Sequence, residues 1–73
     1  METSRYITKH DDSTYLTLPG YEMRVPKGVE VDDIFAGRVY YAYYAAYIKN
    51  EISESDVDSL GYYGVLDRLK VVK

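Results

Sequence analysis

Residues 37–52 read GRVYYAYYAAYIKNEI, with five tyrosines between positions 40 and 47 and charge only at Arg38, Lys49 and Glu51. Alanines at 36, 42, 45 and 46 favour a helix, while Gly37 opposes one by ~1 kcal/mol relative to alanine. The spacing predicts a helix from about Asp33 to about Asn50. At about 100° per residue its surface divides into three apolar strips. Phe35, Val39, Ala42 and Ala46 form one, and Tyr40, Tyr43, Tyr44 and Tyr47 form the second. Ile34, Tyr41, Ala45, Ile48 and Ile52 form the third, with Arg38 and Lys49 as a narrow charged edge.

A helix apolar nearly all round is expected to be buried nearly all round. Seventy-three residues make one domain, 1–73, and a core this small hides only roughly 60% of the unfolded surface. With no cysteine and a single histidine, His10, neither disulfides nor a thiolate or histidine metal site can supplement it. The sheet is expected to take the Phe35 strip, where small residues permit close approach. Tyr40, Tyr43, Tyr44 and Tyr47 are then expected to point outward as a homodimer interface, because a phenol is a large apolar body that tolerates water before docking. Tyrosines lying flat on the sheet's rim in a monomer, or a face reserved for a different protein, are the competing readings.

The sheet itself is read from alternation. RYITK (5–9) and TYLTL (14–18) flank the turn-forming HDDS, and Pro19-Gly20 separates the second run from YEMRV (21–25). Asp32 or Asp33 can cap the helix that follows. Ser53-x-x-Asp56 resembles a capping box opening a second helical turn, which is preferred, for its local reason, to the alternative that the acids form a surface patch kept for binding. Gly61-Tyr62-Tyr63-Gly64 reads as a flexible loop. VLDRLKVVK (65–73) alternates at its end and is expected to add a C-terminal strand, with a short helix on Val65, Leu66, Leu69 and Val72 as the competitor. The expected fold class is therefore α+β: a three-stranded N-terminal meander plus a C-terminal strand, packed on one tyrosine-rich helix.

Charge is unevenly spread. Residues 1–27 balance, residues 28–67 carry a net −6, and the tail from Arg68 returns +3, for −3 in all. An acidic middle repels phosphate and attracts a basic partner. The candidate partner-binding residues are Glu30, Asp32, Asp33, Glu51, Glu54, Asp56 and Asp58. No catalytic residues, metal or cofactor are expected, and the chain reads as a non-enzyme. His10-Asp11-Asp12-Ser13 is better explained as a turn than as an acid–base group. Asp56-x-Asp58-x-Leu60-Gly61 with Asp67 echoes a calcium loop, but Leu60 offers no oxygen at a ligand position. Arg5, Tyr6, Lys9, Tyr21 and Arg24 could stack bases on a sheet, against which stands a pI near 4.9. No membrane segment or signal peptide is read. A cytoplasmic location follows as an expectation, the host-cell cytoplasm if the chain is phage-encoded.

YEMRVPKGVEVDDIFAG (21–37), a strand passing through Lys-Gly into an acid-started helix, resembles the family of small acidic phage inhibitors that includes the dimeric inhibitor of uracil-DNA glycosylase. LDRLKVV near the C-terminus is similar to that family's basic, hydrophobic last strand. The resemblance covers about a third of the chain and touches Glu22, Glu30, Asp32, Asp33 and Phe35; the tyrosine-rich stretch and the acids at 51–58 depart from it. It implies DNA mimicry: a dimer presenting carboxylates where a basic, DNA-binding host protein (nucleoid protein, repair enzyme or transcription factor) expects phosphates.

Overall fold

The computed structural model describes residues 5–71, which form an α+β fold of three antiparallel strands and two helices. Strand β1 (Ile7–His10) turns through Asp11 and Asp12 into β2 (Ser13–Leu18). Both aspartates have positive φ, 51° and 65°, as a two-residue hairpin matching the strand twist requires. Gly20, at φ 76°, turns β2 into β3 (Tyr21–Val25). The strand order is β1-β2-β3. Register places Ile7, Leu16 and Met23 in one row, and Leu16, Leu18, Met23 and Val25 form the buried face.

Helix α1 runs Asp33–Ile48. Asp32 caps it from an extended conformation, its Oδ1 accepting from the Phe35 N–H at 2.7 Å. Phe35, Ala36, Val39 and Tyr43 are the residues α1 buries, and the helix packs on β2. Asn50 at φ 61° ends the element, with the Glu51 N–H closing back to the Ala46 carbonyl at 2.9 Å.

Helix α2 (Glu54–Leu69) packs on β3 and on α1. At its start the Ser53 backbone N–H donates to Asp56 Oδ2 at 2.9 Å, and the Ser53 hydroxyl donates to the same oxygen at 3.3 Å. Ile52 and Val57, buried on either side of that cap, occupy the positions of a hydrophobic staple. Asp56 in the cap and Glu54 in the first turn therefore have a local reason to be where they are.

Two sequence expectations are corrected here. Residues 65–69 are helical and no C-terminal strand forms among the described residues; Val72 and Lys73 lie outside them. Val65 is buried and Leu66 and Leu69 half-buried, so the helical period outweighs the short alternation at 68–71. Lys70 then terminates the helix at φ 59°, and the Val71 N–H returns to the Leu66 carbonyl at 3.0 Å. The sheet is thus covered by two helices rather than one. The second correction concerns Gly61 to Gly64, which is a kinked helical corner and not a loop. Gly61 (φ 74°, ψ 179°) breaks the helical path inside α2. Gly64 gives clearance, since a Cβ there would stand 2.8 Å from the Leu60 Cβ. Tyr62 enters the core while Tyr63 stays exposed.

Candidate functional site

The acids fall into two groups at opposite ends of α1, whose 16 residues span roughly 24 Å. Glu30, Asp32 and Asp33 lie at its N-terminal end, on the exposed entry to the helix. Asp32 is engaged as the cap and Asp33 opens the first turn. Glu51, Glu54, Asp56 and Asp58 lie at the other end, from the α1–α2 connection into the first half of α2.

Two of the second group, Glu54 and Asp58, lie beside the turn between β2 and β3. Glu54 Oε2 is 3.8 Å from where a Cβ on Gly20 would stand, and the Tyr21 hydroxyl donates to Asp58 Oδ1. That hydrogen bond, reinforced by burial and by the charges of Asp58 and Glu54, pushes the Tyr21 phenol above its ordinary 10.0. Burial first, and then Glu54, Tyr47 and Asp56, push the Tyr43 phenol in the same direction. Here the sequence points to acidic residues that structure brings together; the pairing of Tyr21 with Asp58, 37 residues apart, has no sequence signal.

The four tyrosines taken as a dimer interface do not share one face. Tyr43 is 0% exposed and belongs to this chain's own core, so the expectation that it points outward is wrong. The buried sector is rotated toward it, because α2 covers a side of α1 that a sheet alone leaves open. Tyr40 is half-buried, packed at 5.2 Å between ring centroids against both Tyr6 and Tyr41. Tyr47 stacks on Tyr43 at 5.7 Å and is partly open, and Tyr44 is 48% exposed.

What does stand in solvent is the part of the third strip that lies on α1; Ile52, which the spacing put on the same strip, falls beyond the helix and is buried in the core. Ile34 is 72% exposed, and Tyr41 and Ile48 are 60% each. Tyr6, just before β1, leans over Gly37 and donates its hydroxyl to the Tyr41 hydroxyl at 3.3 Å. The repeat at 34, 41 and 48 is visible in the sequence, yet nothing local says which of the three apolar strips the fold leaves open.

The other candidate chemistries have plain structural outcomes. His10 and Asp11 are exposed on the hairpin, 3.4 Å apart. The calcium-loop echo at 56–67 is helical, and no metal-holding group of carboxylates and histidines occurs among the described residues. Lys9 pairs with Thr14 in the same row as buried Val25, whereas Arg24 pairs with Tyr15 in the opposite row. The strands therefore split their basic residues between two faces. No described helix is long and apolar enough to cross a membrane. No known protein family, curated protein or solved structure matches the chain.

Proposed function

We propose that this chain is a non-catalytic acidic binding protein that occludes a basic, DNA-binding surface of another protein, as the phage DNA mimics it resembles do. The observation that carries the reading is the placement of Glu54 and Asp58 beside the β2–β3 turn, Glu54 next to Gly20 and Asp58 accepting from the Tyr21 hydroxyl. From Glu54 to Asp58 the helix carries a carboxylate about every 3 Å of its axis, sparser than the one charge per ~1.7 Å of a duplex. Asp56 and Asp58 are also tied down by hydrogen bonds, so their charges are held in fixed positions. The N-terminal group, Glu30, Asp32 and Asp33, is too far along α1 to join the same patch within one chain.

The test uses Glu51 and Glu54, which are exposed and outside the capping hydrogen bonds. A panel of purified bacterial nucleoid proteins, repair enzymes and repressors is assayed for loss of DNA binding on adding this chain. At least one member is expected to be inhibited at low salt, with inhibition falling as salt rises. Glu51→Lys with Glu54→Lys is expected to abolish it. Inhibition indifferent to salt and to the double reversal, or none at all, defeats the reading.

A further inference from the structure

Helix α1 keeps an uncharged strip in solvent along its whole length. Ile34, Tyr41 and Ile48 repeat every seven residues, and Tyr44 fills the position three after Tyr41. This is the a-and-d spacing of a helix that seats a second helix in a left-handed crossing. The exposed parts of these four side chains amount to roughly 500 Å² in one copy, toward the upper end of the about 300–600 Å² of the largest patch on a monomer, which is often functional.

We infer that the strip seats a second copy of this chain, α1 against α1 in parallel about a two-fold axis. Two fully matched strips remove roughly 1,000 Å² from water, about the size a specific interface has to clear. Charge favours this occupant. In heptad terms Asp33 and Arg38 fall at the g and e positions that flank the seam, and a parallel pair sets Asp33 of each copy against Arg38 of the other. An antiparallel pair would set Asp33 near Tyr47 and Arg38 near Ala45, with no charge match. The half-buried Tyr6 ring, lying over Gly37, supplies apolar surface where the glycine has none. The inference rests on the apolar strip and its flanking charges and not on the acidic group that begins at Glu51, three residues beyond Ile48.

Sedimentation over a micromolar concentration series tests it. A rise from 8.4 kDa toward twice that mass is expected, and it is expected to persist at high salt because apolar burial dominates the seam. Ile48→Arg, an exposed position with no core role, is expected to weaken association at least tenfold while leaving the circular dichroism unchanged. Because the chain lacks cysteine, Ile34→Cys and Ile48→Cys report the arrangement. Each variant alone is expected to oxidise to a covalent dimer. A monomer throughout the series, or association untouched by Ile48→Arg, overturns the inference. Cross-links that form only when the two cysteine variants are mixed overturn the parallel pairing, and with it the charge match that selects a second copy.

Discussion

Tyr43 concentrates the tension in this chain between apolar burial and polar satisfaction. Its ring is fully enclosed, and its hydroxyl has no hydrogen-bond partner among the described residues. An unpaired buried hydroxyl costs about 1–3 kcal/mol, whereas the ring's burial stabilises. Tyr43→Phe is therefore expected to hold stability level or raise it by about 1 kcal/mol. Tyr43→Ala is expected to lower it by about 3–5 kcal/mol, read from the midpoint of urea unfolding. An outward tyrosine would show neither effect. Asp32 is the opposite kind of residue, because its role as a cap was legible from its place before the apolar run. Choosing between Asp32 and Asp33 needed the backbone, since only the extended residue can turn its carboxylate onto the Phe35 N–H.

At the scale of elements, the meander followed from its turns. Asp11-Asp12, Pro19-Gly20 and Lys27-Gly28 are chemically suited to the conformations they adopt. The capping box at Ser53 was equally local, and it starts α2 where the sequence placed it. The C-terminal half of α2 was read wrongly because residues 65–71 satisfy both a helical and a strand period over too few positions. The Gly61-Tyr62-Tyr63-Gly64 corner was misread because glycine marks a kink as readily as a loop. Gly61 holds a conformation that only glycine adopts without strain. Gly61→Ala is expected to destabilise by about 1–3 kcal/mol, measured by thermal unfolding, as Tyr62 is pulled from the core. A loop at this place would tolerate the change.

For the whole molecule, four phenols are raised above 10.0: Tyr6 by its bond with Tyr41, Tyr21 by its bond with Asp58, and Tyr43 and Tyr62 by burial. A phenol that titrates higher in the folded state than in the unfolded one binds its proton more tightly when folded. Its contribution is fully present below pH 10 and is lost as pH rises through the folded-state values. Unfolding in urea is accordingly expected to be insensitive to pH in the neutral range and to become progressively easier above pH 10, in step with phenolate absorbance. A stability that stays flat through that range would contradict the packing of these rings. The parallel pair proposed above would bring the acidic ends of both copies to the same end of the dimer.

The sequence by itself determined the local matters: three strands with their turns, a long helix begun by an aspartate, a second helical start at Ser53, and an excess of apolar surface on α1. Each of these is settled by residues within a few positions of one another, through backbone conformation, capping and period. Tertiary structure alone decided which strip of α1 is sheltered and which is open. That choice depends on α2 folding back to lie against both α1 and β3. It draws Tyr43 inward and leaves Ile34, Tyr41 and Ile48 in water, because burial is allotted by neighbours distant in sequence and not by the hydrophobicity of the residue itself.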